Sequence, residues 1–143
     1  MNEKTIRVAI VAADFNKNIV DGMIDVATQE LQQGQAVLVR VVRVAGSYEM
    51  PIVADIQMAE EGVDALVILG YIERGETLHG EVMGHVVLSA LINLQLKHRK
   101  PMGLGIIGPG ATEEQAAKRK TEYAKAAVRA VLRSCELMPS VHE

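Results

Sequence analysis

Two side chains, Thr77 and His79, lie in the stretch Gly70 to Glu81, written GYIERGETLHGE, and carry the chemistry most directly readable from this chain. A hydroxyl at a helix start caps backbone N–H groups, and an imidazole, with an ordinary pKa of about 6.5, carries protons near neutrality. Gly75, just before them, lets a backbone or a ligand approach closely. Ahead of the stretch, the apolar run Ala65 to Leu69 reads as a buried parallel strand. A helix is predicted from about Leu78, with Thr77 at its N-cap. The exposed amides and positive dipole end of such a helix form a natural anion site. An ordinary strand-to-helix connection with a capping threonine fits the same residues, and the stretch alone leaves both readings open.

Three other groups of unusual residues follow apolar runs in the same way. Phe15-Asn16 follows a strand predicted over Ile6 to Ala12, and Ser47-Tyr48-Glu49 follows one over Ala36 to Val44. Gly108-Pro109-Gly110-Ala111 reads as the exit from a strand over Met102 to Ile107. Between them, apolar residues at three- and four-residue steps predict helices over about Ile19 to Gln33, closed by Gln33-Gly34, and about Leu78 to Lys97. The second has a stripe that includes His79, Met83, Val86, Val87 and Leu91. Pro51 suits the first turn of a helix to about Glu61, while Thr112 with Gln115 forms a capping box for a helix to about Leu132. The tail from Met138 to Glu143 reads as frayed. Four strand-helix repeats predict an α/β fold with a parallel sheet and helices on both faces. All four groups then fall at the carboxyl ends of strands, the rim where open α/β sheets bind ligands.

The 143 residues fit a single domain, 1–143, with one substantial core. With one phenylalanine, three tyrosines and no tryptophan, that core must be aliphatic, and the seven methionines read as core and interface filler. A net charge of -3 with scattered Lys and Arg gives no basic face for nucleic acid. No run approaches the ~20 apolar residues of a membrane helix, and the lone Cys135 points to a reducing compartment, so a cytoplasmic location is expected. Glu81, one turn from His85, has no metal-site spacing. Taken alone, Phe15 reads as a loop residue pinned to the core, Arg119 as a solvated helix arginine, and Tyr48 and Glu49 as a lead-in to the second helix.

Taken in order, the motifs ADFN (Ala13 to Asn16), AGSYEMP (Ala45 to Pro51), ILGYIERGETLHGE (Ile68 to Glu81) and KPMGLGIIGPGATEEQA (Lys100 to Ala116) resemble the 6,7-dimethyl-8-ribityllumazine synthase family, in particular its archaeal-type members. The resemblance spans Val8 to Leu132. It implies a flavodoxin-like three-layer sandwich with a four-stranded parallel sheet, homo-oligomers built on pentamers, and sites at subunit interfaces. It also implies condensation of a ribitylamino-pyrimidinedione with a butanone phosphate, without metal or cofactor. By matching position, Phe15 would stack on the pyrimidine, and Ser47, Tyr48 and Glu49 would hold its edge and ribityl chain. The backbone of Tyr71 and Ile72 would read the ring. Gly75, Glu76 and Thr77 would cradle phosphate with Arg119 of a neighbour, and His79 would shuttle protons. Leu104 stands where bacterial relatives place a neighbour's stacking phenylalanine, and Lys125 is a further candidate ligand. Glu73 and Gly80 depart from the family pattern, the first usually aliphatic and the second larger. The related archaeal-type riboflavin synthase, or a non-catalytic flavin-binding or shell-forming relative, are the rival readings.

Overall fold

Residues 5–138 are described by a computed structural model; the tail 139–143 lies outside them. The order is β1 (Arg7–Ala13), α1 (Lys17–Gln33), β2 (Val37–Val44), a 3-10 turn (Ser47–Glu49), α2 (Met50–Ala59), β3 (Ala65–Glu73), α3 (His79–His98), β4 (Met102–Ala111) and α4 (Glu113–Leu137). The sheet runs β2-β1-β3-β4 with every pair parallel. β1 and β3 are central and almost continuously buried, which is why they read as unbroken apolar runs.

Side chains alternate across the strands, so each one feeds two cores. Val8, Ile10 and Ala12 of β1 and Val67, Leu69 and Tyr71 of β3 pack with Met23 and Leu31 of α1 and Val128 and Val131 of α4. Ala9, Val11, Leu66, Ile68 and Ile72 face the other way, against Met50, Ala54 and Met58 of α2 and Val87 and Leu91 of α3. Fully burying a side chain such as Met23 or Leu31 contributes roughly 1.5–3 kcal/mol, so the two faces hold the three layers together. The buried methionines act as filler in both cores, as expected.

The amino ends of the strands are fastened by charge. Arg7 grips the Asp64 carboxylate through Nε (3.0 Å) and Nη2 (3.1 Å), joining the starts of β1 and β3. Lys100 Nζ donates to the Met58 and Glu60 carbonyls (2.7 and 2.9 Å), closing the end of α2, and burial lowers its pKa. Asp55 of α2 contacts His98 Nε2 (2.6 Å) and accepts from Lys97 Nζ (3.1 Å) at the end of α3. Those two bonds, His98 first, hold the Asp55 carboxyl below its ordinary range.

Several boundaries differ from the sequence reading. β3 runs to Glu73 instead of stopping at Leu69, and β4 runs to Ala111 instead of Ile107. The two strands sustain each other: Gly70 pairs with Ile106, Tyr71 with Ile107, and Glu73 with Ala111 after a register shift. A bulge on an edge strand is where proline, lacking an N–H, is tolerated, and Pro109 follows a cis bond there. Gly108, at φ 93°, would drive a Cβ into the Ile72 carbonyl. At the end of α1 the left-handed residue is Gln35 and not Gly34, whose missing side chain instead makes room for Leu132. α4 continues five residues beyond Leu132, carrying Cys135 half-buried against the core, where burial raises the thiol pKa.

Candidate active site

The exits of β1 and β2 are bonded to each other. Asp14 N–H donates to Val44 O (2.6 Å) and Phe15 N–H to Ala45 O (3.2 Å). Arg43 reinforces the junction, its Nη1 donating to Asp21 (2.7 Å) and its Nη2 to Ala13 O (3.3 Å). Its Nε lies 3.1 Å from Asp14 Oδ1, close enough for ion pairing, yet is not aligned for a hydrogen bond. Hydrogen bonds from Arg43 and then Lys17 hold the Asp21 carboxyl below its ordinary range. Asn16 takes a left-handed backbone (φ 60°), which asparagine tolerates, and its Nδ2 donates to Tyr71 O at 3.4 Å. Held in this loop, the Phe15 side chain is 57% exposed, so it is not pinned to the core.

After β2, the backbone enters the 3-10 turn with Ser47 buried and Tyr48 and Glu49 exposed. Pro51 then occupies the first turn of α2, as its fixed φ favours. At the end of β3, Tyr71 points into the α1–α4 core and its hydroxyl donates to Ala111 O at 2.8 Å. Burial, then the negative charges of Glu73 and Glu113, raise the phenol pKa, so this hydroxyl remains a donor near neutrality. What Tyr71 offers the rim is therefore backbone.

α3 begins at His79 with Leu78 at the N-cap, one residue later than expected. Thr77 Oγ1 still accepts a hydrogen bond from His79 N–H, at 3.3 Å, and satisfies one N–H of the first turn. His79 and Val86, expected on the buried stripe, are exposed, and the buried positions are Gly84, Val87 and Leu91. Two glycines explain how this helix start reaches the rim. A Cβ at Gly80 would sit 3.1 Å from Glu73 O and 3.4 Å from Ile72 Cγ2; one at Gly84 would sit 2.7 Å from Pro109 Cδ. α3 therefore lies flush against the extended ends of β3 and β4. The His79 ring meets Tyr48 edge-on, with centroids 6.0 Å apart.

These ends enclose a cavity of about 560 Å³, a size that suits a small organic molecule. From the β1–β2 side it is lined by Phe15, Ser47, Tyr48 and Glu49, and from the β3–α3 side by Tyr71, Ile72, Gly75, Thr77 and His79. Glu76 is exposed on the same loop without lining the cavity. Leu104 is half-buried within β4 against the α2–α3 core, Arg119 is exposed on α4, and Lys125 is half-buried there. None of these three lines the cavity.

The cavity also takes in Ala45, Gly46, Glu73, Arg74, Gly80 and Met83, which were not singled out as site residues. Ala45 and Gly46 belong to the AGSYEMP motif and could have been found there. Glu73, Arg74 and Gly80 likewise lie within the ILGYIERGETLHGE motif, but the place of Arg74 at the cavity wall follows from β3 running on to Glu73. Among the described residues no group of three or more His, Cys, Asp or Glu side chains is arranged to hold a metal ion. The cavity thus combines aromatic surface, hydroxyls, backbone polar groups at a helix start, and one imidazole. It is equipped to hold a flat polar ring beside an anion and to move a proton between them.

Comparison with known proteins points to one family. A family model described as 6,7-dimethyl-8-ribityllumazine synthase matches residues 5–139. A protein of that name from Metallosphaera sedula is 36% identical over 143 residues, covering all of this chain and 95% of the relative. One from Pyrobaculum arsenaticum is 36% identical over 138 residues, covering 96% of this chain and 92% of the relative. A third, from Saccharolobus solfataricus, is 37% identical over 133 residues, covering 93% and 86%.

Proposed function

The chain belongs to the 6,7-dimethyl-8-ribityllumazine synthase family, and on that premise we propose that the rim cavity is where it joins its two substrates. It is a transferase of riboflavin biosynthesis. The reaction condenses 5-amino-6-ribitylamino-2,4(1H,3H)-pyrimidinedione with 3,4-dihydroxy-2-butanone 4-phosphate, giving the lumazine, phosphate and water. One observation carries the assignment of the site: Phe15, the Ser47–Glu49 turn and the Thr77–His79 helix start line one cavity although three different strands deliver them.

Phe15 stacks on the pyrimidine, since its exposed ring stands at the cavity wall. Ser47, Tyr48 and Glu49 hold the ring edge and ribityl chain, and the backbone of Tyr71 and Ile72 reads the ring. The phosphate lies against Gly75, Glu76 and Thr77, where the start of α3 favours negative charge. Imine formation, phosphate elimination, ring closure and loss of water all need the reactants held together. Such juxtaposition supplies on the order of 7–11 kcal/mol. His79 carries protons between these steps.

Arg119 and Leu104 act in a neighbour's cavity, and Lys125 is a further candidate ligand; in support, none of the three lines the cavity formed by this chain. On this reading the sites lie at interfaces of a homo-oligomer, built on pentamers as the family resemblance implies. Supporting it, Ile52 and Ile56 on α2 and Val82 and Val86 on α3 are large apolar side chains left exposed in the isolated chain. A cytoplasmic location accords with the lone thiol; no helix among the described residues is long and apolar enough to cross a membrane. The test is to mix the purified protein with both substrates and follow the coloured, fluorescent lumazine. Formation above the spontaneous rate is expected. No acceleration contradicts the reading, and conversion of lumazine alone would mark a riboflavin synthase instead.

A further inference from the structure

We propose that Arg74 is the cation that a subunit contributes to its own phosphate site, opposite the arginine that arrives from the neighbour; this rests on the site reading above. Of the eight arginines, Arg7, Arg40, Arg43, Arg129 and Arg133 are held by carboxylates. Among the described residues no carboxylate pairs with Arg74, which is exposed and lines the cavity beside Gly75, Thr77 and His79. Its backbone is not free to wander, because Arg74 N–H donates to Ala111 O at 2.9 Å, fixing where the loop leaves β3. Two residues earlier, Ile72 is locked against Gly80 of α3. The guanidinium therefore starts from a rigid point at the cavity wall.

The charge balance of the lining gives this group its purpose. Glu49 and Glu73 bring two carboxylates to the cavity, and Arg74 is the one fixed cation among its lining residues. A phosphate entering against two carboxylates needs a counter-charge. The dipole of α3 and the Thr77 hydroxyl supply only partial charge, whereas a guanidinium offers paired donors in a plane that match phosphate oxygens.

The experiment compares wild type, Arg74→Gln and Arg74→Lys in steady-state condensation, with inorganic phosphate as a competing probe and thermal unfolding as a fold check. Losing a charged hydrogen bond to the substrate raises the KM for the butanone phosphate in Arg74→Gln by about ten- to a hundredfold. Inhibition by inorganic phosphate weakens in parallel. kcat stays within about threefold, and the pyrimidine KM is unchanged, because the group binds phosphate in ground state and transition state alike. Arg74→Lys recovers part of the loss, keeping charge without the planar fork. An active wild type with unchanged phosphate-substrate KM in Arg74→Gln overturns the inference and leaves the site reading standing. So does a loss confined to kcat. A wild type with no condensation activity overturns both.

Discussion

Replacing Gly84 by alanine sets two effects of known sign against each other. In a helix interior, Gly→Ala stabilises by about 1 kcal/mol through backbone entropy alone. Here the new Cβ would sit 2.7 Å from Pro109 Cδ, where ordinary contact begins at 3.4 Å, so helix and strand must part by about 0.7 Å. Pro109 cannot swing away as the end of a flexible chain would, because it is part of the β4 backbone paired to the end of β3. Overpacking of this kind costs roughly 1–3 kcal/mol. The net expectation is a loss of about 1 kcal/mol, or roughly 3–5 °C in Tm. Gly62→Ala is the control, since nothing lies within 4 Å of its added Cβ, and it should hold or raise Tm. The displacement also reaches the site, because Gly84 is one turn and a residue from His79 on the same helix. With catalytic geometry this sensitive, kcat/KM should fall about tenfold. A Gly84→Ala protein more stable than wild type and equally active would refute the close seating of α3.

Three further outcomes follow from the same contacts. His79→Ala should lower kcat by about a hundredfold, at the low end for a lost general acid–base group, with little change in KM; raised KM at constant kcat would mean a binding role instead. Tyr71→Phe should cost only about 0.5–1.5 kcal/mol in urea unfolding, because Ala111 O keeps the bond from Arg74 N–H after losing the phenol; a loss above about 3 kcal/mol would contradict that compensation. Asp55 has a folded-state pKa below its unfolded value, so its contribution is fully present above about pH 4 and is lost as pH falls through the depressed value. Asp55→Asn should therefore be less stable than wild type at neutral pH, with the gap closing in acid; a gap independent of pH would show that the contacts of the Asp55 carboxylate with His98 and Lys97 do not carry it.

How far the sequence reaches depends on whether a feature is local. The α4 start is local, and both bonds of its capping box form: Gln115 N–H to Thr112 Oγ1 at 3.2 Å, and Thr112 N–H to Gln115 Oε1 at 2.9 Å. The alternation of strands and helices, and the parallel sheet it requires, were legible for the same reason. The ends of β3 and β4 were not. Gly70, Gly108 and Pro109 all read as breakers, and only pairing between strands some 37 residues apart keeps them extended. Glu73 stands out as a departure from the family pattern, but that error hid Arg74, which the longer strand delivers to the cavity wall beside it. Phe15 was misjudged on its own for a related reason: its exposure is set by Arg43 and Val44 of another strand, bonds invisible in the ADFN motif. Nine of the residues chosen from motif and resemblance do line one cavity, while Glu76, Leu104, Arg119 and Lys125 do not, a division the chain order alone could not reveal.

A subunit-mixing experiment tests the shared site most directly. His79→Ala subunits lack the proton carrier but keep Arg119; Arg119→Ala subunits keep His79 but have no arginine to offer a neighbour. Unfolded together in equal amounts and reassembled, randomly mixed rings should carry a complete pairing at about a quarter of their interfaces. Activity should therefore recover to about a quarter of wild type, well above either variant reassembled alone. Recovery no greater than the mean of the two separate variants, in rings shown to contain both, would contradict a cavity completed by the adjacent subunit.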